Sequence, residues 1–127
     1  MRAMDLTGND APGGGTGRRR RRPLSVTATV LGKKWHPLIV SVLLETGALG
    51  FSELKDRVQG ISDKVLSESL DDLEERDLVD RTVIDDKPVR VEYSLTEWGE
   101  QLELVVAAMD QWGKRYLDAH GTDPAGD

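Results

Sequence analysis

Cysteine is absent from all 127 residues. Disulfides, thiolate metal sites and thiol redox chemistry are therefore excluded within this sequence. Aromatic residues are scarce, with three Trp, two Tyr and one Phe. The two histidines, His36 and His120, are far apart and have no cysteine to complete a ligand set, so no metal site is expected. No apolar run approaches the ~20 residues that a membrane-spanning helix needs. The longest, Leu38 to Leu44, is interrupted by Ser41 and reads as a buried helix face. The stretch Met1 to Gly17 is polar and Gly-rich, without the apolar segment of a signal peptide. A cytoplasmic location without membrane attachment is expected. No Ser-His-Asp set, phosphate-binding loop or paired carboxylate is evident, so neither an enzyme nor a cofactor is predicted.

Charge is more informative. Lys plus Arg number 17 and Asp plus Glu 23, a net charge of −6, and Arg18 to Arg22 supplies five of the basic residues. From Pro23 onward 11 basic residues stand against 21 acidic ones, a balance of −10. Residues 1–22 combine Gly13-Gly14-Gly15, Asn9, Asp10 and Pro12 with the arginine run and show no apolar periodicity. They read as a disordered tail. One domain is expected over residues 23–120, with a flexible end at 121–127.

Within that domain the periodicities follow one another closely. Leu24, Val26, Ala28, Val30 and Leu31 before Gly32 suggest a short helix stopped by glycine. From Trp35 to Glu45, apolar residues at 35, 38, 39, 42 and 43 give a helical repeat, with Pro37 in the first turn and Gly47 beyond the end. Ser52 is the expected N-cap of a short helix carrying Leu54 and Val58, broken at Gly60. Ser62 caps the next helix, where Leu66, Leu70 and Leu73 form one stripe, with Val65 and Ser69 beside it. Lys64, Ser67, Glu68, Asp71 and Glu75 fall on the opposite face. Leu78 and Val79 lead into a strand, DDKP turns the chain, and Val89, Val91, Tyr93 and Leu95 alternate as a returning strand. A last helix is expected from Glu97 to Ala119, capped at Thr96, with an apolar seam of Leu102, Val105, Val106, Met109, Trp112 and Tyr116.

Helix, strand, turn, strand, helix in this compact order predicts a mainly α fold with a small β-wing. It is the order of a winged helix-turn-helix, with long N- and C-terminal helices expected to dimerise. Ser52 to Val58 braces a recognition helix starting at Ser62, and such a helix enters the major groove of double-stranded DNA. The candidate DNA contacts are Ser52, Lys55, Ser62, Lys64, Ser67 and Glu68, with Lys87 and Arg90 on the wing. Ser52 and Ser62 are helix caps first, and a helix N-terminus can also hold phosphate. The competing reading of Lys64, Ser67 and Glu68 is a solvated helix face, and of Lys87 and Arg90 plain turn solvation. Leu24, Val30 and Leu31 with Leu102, Val105, Val106, Met109, Trp112 and Tyr116 form the candidate homodimer interface. Trp35, Trp98 and Trp112 read as core or interface residues, with an effector pocket between dimer helices as the alternative. Arg18 to Arg22 is either a minor-groove arm or a solvated tail.

KKWHPLIVSVLL, GFSELKDRVQGISDKVLSESLDDLEERDLVDR and PVRVEYSLTEWGEQL resemble the HxlR-type transcription regulators, a MarR-like winged-helix family. The resemblance spans about Pro23 to Trp112. It rests on Lys34-Trp35, Phe51 with Leu54, Gly60-Ile61-Ser62 leading to Leu66 and Leu70, Leu78-Val79 with Arg81, and Pro88 to Thr96 followed by Gly99. It implies a homodimer built on N- and C-terminal helices, each subunit presenting one recognition helix to a half-site. Many relatives carry a Cys-Pro pair ahead of the tryptophan. Here Arg22 stands in the cysteine's place before Pro23, so a thiol switch is not implied.

The charge opposes this reading. Between Gly50 and Arg76, four basic residues face eight acidic ones. Duplex binding gains affinity when Lys and Arg release counterions from phosphates, and an acidic reader forfeits much of that gain. One resolution is work at high salt, where ~1 M salt shortens the Debye length to ~3 Å and screens repulsion. The other is a winged helix turned protein-interaction module. A ligand-binding dimer with Trp35 and Trp112 lining its pocket is a third.

Overall fold

In the computed structural model, residues 22–121 are described. The arginine run up to Arg21 and nearly all of both expected flexible ends lie outside them. Six helices and three strands follow in the order α1 (Pro23–Leu31), α2 (His36–Thr46), β1 (Leu49–Gly50), α3 (Phe51–Arg57), α4 (Asp63–Glu75), β2 (Val79–Asp86), β3 (Val89–Leu95), α5 (Glu97–Glu100) and α6 (Glu103–His120).

Pro at the first position starts α1, where a missing N–H costs nothing, and the helix stops at Gly32 as expected. It is short, at nine residues, so most of the helical arm is α6, with eighteen. Ser62 caps α4 by accepting a 3.1 Å hydrogen bond from the Val65 N–H. The cap of α3 differs from expectation. It is Gly50, and Ser52 lies inside the first turn. There the Glu53 carboxylate reaches back and accepts from the Gly50 N–H at 2.9 Å. A carboxylate in the first turn also suits the positive end of the helix dipole.

The expected single last helix is two. The Leu102 N–H bonds to the Gly99 carbonyl at 3.0 Å, an i→i−3 contact that tightens the turn and ends α5. Gly99 is buried where a Cβ would collide with the Leu78 carbonyl oxygen. Thr96 joins the same corner, its hydroxyl donating to the Asp77 carbonyl at 2.7 Å and accepting from the Gly99 N–H at 3.0 Å.

The sheet is antiparallel, ordered β1-β3-β2. Its third strand, β1, is too short to leave a periodic trace. It pairs Leu49 with Tyr93 and Gly50 with Glu92. The β2–β3 hairpin pairs Val79 with Leu95 and Arg81 with Tyr93, and its register shifts between Val83 and Asp85.

The core lies where α2, α3 and α4 meet the base of the sheet, around Ile39, Val40, Leu43, Leu54, Leu66, Leu70, Leu73 and Val79. Each such side chain, fully buried, contributes about 1.5–3 kcal/mol. Leu66, Leu70 and Leu73 are the stripe read from the sequence, and Ser69 is buried with them. Trp35 packs against this core from its edge. Trp98 does not, being exposed, as is Trp112.

Candidate nucleic-acid interface

The first turns of α4 project outward from the braced end of the core. Ser62, Asp63, Lys64, Ser67, Glu68 and Asp71 are all exposed there. Lys64 is 82% and Glu68 64% exposed at the side chain, and they form an i,i+4 pair at 3.7 Å. Lys55 on α3 reaches the start of α4, its Nζ 3.5 Å from Asp63 Oδ1. Brace and recognition helix are thus joined by charge as well as by apolar packing. Ser52 is exposed on the first turn of α3.

Lys87 and Arg90 lie at the tip of the β2–β3 hairpin. Arg90 is opposite Asp85 in the ladder, and the Lys87 N–H donates to Asp85 Oδ1 at 3.4 Å. Val83, Ile84 and Val89 are exposed on the same hairpin. Lys55, Lys64 and Arg90 therefore each have a carboxylate beside or across from them. The excess of acid over base in the sequence thus reaches the candidate contacts themselves.

Behind α4 the structure contains a polar contact that no sequence pattern indicated. His36, at the start of α2, is 2% exposed. Its Nε2 lies 2.8 Å from Asp72 Oδ2 on α4, and Arg76 Nε donates to the same oxygen at 2.9 Å. Partial burial raises the Asp72 pKa, but hydrogen bonds from Arg76 and His36, with their charges, outweigh it and hold the carboxyl below its ordinary value. An ionised carboxylate only accepts, so Nε2 carries the hydrogen. The other ring nitrogen, Nδ1, is buried without a partner.

The candidate interface residues divide. Leu31 and Val106 are buried within the protomer and serve its own core. Val30, Leu102, Val105 and Tyr116 are half-buried. Leu24, Met109 and Trp112 are exposed, as are Leu104 and Leu117, which the near-heptad seam had omitted. Trp112, Tyr116 and His120 stack in succession along α6, with centroids 5.1 and 4.0 Å apart. A cleft of about 310 Å³ between α2 and α3 is lined by Leu38, Ser41, Val42, Arg57, Val58 and Gln59. Neither Trp35 nor Trp112 lines it. Among the described residues no group of His, Asp and Glu could hold a metal ion, and no helix is long and apolar enough to cross a membrane.

Brace, recognition helix and antiparallel hairpin in this order define a winged helix-turn-helix protein. Residues 30–121 match the family described as HxlR-like helix-turn-helix, and the chain belongs to that family. It is 37% identical over 94 residues to the HTH-type transcriptional regulator YodB of Bacillus subtilis (strain 168), covering 74% of this chain and 83% of that one. It is 40% identical over 89 residues to the HTH-type transcriptional regulator YvaP of the same organism, covering 70% and 82%. The reduced form of the redox regulator HypR superposes with a TM-score of 0.71 at 34% identity, over 76% of this chain and 95% of that one.

Proposed function

We propose that this chain is a DNA-binding regulator of transcription that acts as a homodimer on a palindromic operator. The observation that carries this reading is the exposed, Ser62-capped start of α4, which presents Lys64, Ser67 and Glu68 between a brace and a wing. Lys and Glu are suited to opposite base edges: Lys donates to guanine O6 and N7, and Glu accepts from the cytosine amino group. Ser52 and Lys55 from the brace and Lys87 and Arg90 from the wing would hold the backbone. Such contacts set register without reading sequence.

Dimerisation is supported by the apolar residues left uncovered on the arms. Leu104 is 80% and Trp112 59% exposed, with Leu24, Met109 and Leu117 also in contact with solvent. Covering them gains roughly 25 cal/mol per Å². A two-fold dimer would meet half-sites about one helical turn, ~34 Å, apart. A small-molecule effector would find apolar walls and the Arg57 guanidinium in the α2–α3 cleft. A thiol signal has no acceptor in this sequence.

The local acidity favours a second reading, a winged helix that binds protein. Selection of duplexes from a random pool, at about 0.15 M and at multimolar salt, separates the two. A palindrome enriched at either salt supports the regulator, and enrichment that improves with salt identifies a high-salt protein. Loss of the motif in Lys64→Glu and Arg90→Glu assigns it to these residues. No enrichment from folded, dimeric protein supports the interaction module.

A further inference from the structure

The apolar stripe of α4 seats it in the core, but Leu66, Leu70 and Leu73 make non-directional contacts. Such packing tolerates small rotations of the helix about its own axis. With side chains, an α-helix is about 10–12 Å across, so a turn of about 20° moves the outer side-chain ends by about 2 Å. That exceeds the ~0.5 Å spread of good hydrogen-bond lengths. Correct reading of base edges therefore needs a directional restraint on α4.

Among the described residues, one side-chain pair distant in sequence supplies such a restraint. The His36 Nε2–H donates to Asp72 Oδ2 across 36 positions, from α2 to α4. The imidazole is buried, and Arg76, at the C-terminal cap of α4, donates to the same oxygen. The arrangement carries a cost, since Nδ1 is buried without a partner. An apolar residue in place of His36 would avoid that cost. A directional contact that is kept despite such a cost is suited to positioning.

We propose that His36 is a positioning residue for DNA recognition: through its hydrogen bond to Asp72 it fixes the rotation of α4 and so the aim of Lys64, Ser67 and Glu68. This rests on the DNA-binding reading above. The α2 helix also packs against α1 and α6, so the bond links the arms to the reading surface.

The test uses the full chain, the duplex it enriches from a random pool, and a scrambled duplex of equal length. His36→Leu should stay folded, with a lower melting temperature because Asp72 loses one donor, and should bind the enriched duplex about tenfold more weakly, the scale of one misaligned base contact. Binding to the scrambled duplex should hardly change, because phosphate contacts tolerate a small rotation. His36→Gln, whose amide can still donate to Asp72, should recover most of the discrimination. Should His36→Leu fail to fold, Asp72→Ala removes the same bond from its half-buried partner and should show the same loss. The proposal is overturned if the folded variant lacking the bond discriminates like wild type, or if His36→Gln folds but loses as much as His36→Leu. Enrichment of no duplex by the wild-type chain would instead sink the DNA reading itself, and this inference with it.

Discussion

Lys64 Nζ lies 3.7 Å from Glu68 Oε2, one turn along the exposed face of α4. In solution so open a pair contributes only about 0.3–0.5 kcal/mol. On the proposed reading its weight lies in binding, where Glu68 would both occupy the lysine and repel phosphate. Glu68→Gln should raise affinity for unselected duplex several-fold at about 0.1 M salt, where the Debye length is ~10 Å. If the freed lysine neutralises one phosphate, the slope of log K against log salt steepens by about 0.9 per protomer. A salt titration followed by fluorescence anisotropy reads both. An unchanged slope would mean that Lys64 does not approach the backbone.

Asp72 should mark the acid limb of stability. Its carboxyl is held below the ordinary value chiefly because hydrogen bonds from Arg76 and His36 overcome the raising effect of partial burial. A depressed folded pKa stabilises above the unfolded value of about 3.9 and loses that contribution as pH falls through the folded one. Asp72→Asn should therefore be less stable than wild type at neutral pH and lose less between about pH 4 and pH 2. Urea midpoints across that range would show two parallel curves if the carboxylate has no such part.

Gly99 admits no side chain. A Cβ there would run into the Leu78 carbonyl oxygen and press on Leu95 Cδ2. Gly99→Ala should cost about 1–3 kcal/mol through overpacking. For a domain of this size that lowers the melting temperature by about 4–8 °C per kcal/mol. Gly113, half-buried but with nothing near its missing Cβ, is the control. Gly113→Ala on α6 should stabilise by roughly 0.5–1 kcal/mol.

Ser62→Ala removes the hydroxyl that accepts from the Val65 N–H. Loss of such a cap costs about 1 kcal/mol. Ser62→Asp should restore stability, since Asp caps as well as Ser, while weakening duplex binding by placing charge at the phosphate end of α4. If Ser62→Asp binds like wild type, that helix end stays clear of the backbone.

Where a periodicity is long, sequence and structure agree closely. Leu66, Leu70 and Leu73 repeat strongly enough to orient α4, and Val89 to Leu95 alternate clearly enough to define the returning strand. Local chemistry was legible too, as at Ser62, Thr96 and Gly32. Ser52 was misassigned because a serine before a leucine repeat satisfies the cap pattern, while the true cap, Gly50, acts through its backbone and Glu53. The break before Glu103 escaped because the apolar seam continues through it, while the tightened turn from Gly99 to Leu102 that makes it leaves no periodic trace. His36 and Asp72 are 36 positions apart with no shared pattern, so only the packing of α2 on α4 brings them together. Leu31 and Val106 show the same limit, since periodicity finds an apolar face without saying which neighbour covers it.

The two-residue strand β1 has a mechanical consequence. Leu49 and Gly50 are bonded to Tyr93 and Glu92 at the base of the hairpin, and the next residue, Phe51, begins the brace helix. The wing is therefore no free flap but one arm of a lever whose fulcrum is the start of α3. A push on its tip would pass along β3 to the start of the helix that carries Lys55. On the proposed reading, docking at one groove and seating in the next would be geared together, and the protein would meet DNA as a single tool rather than as two independent fingers.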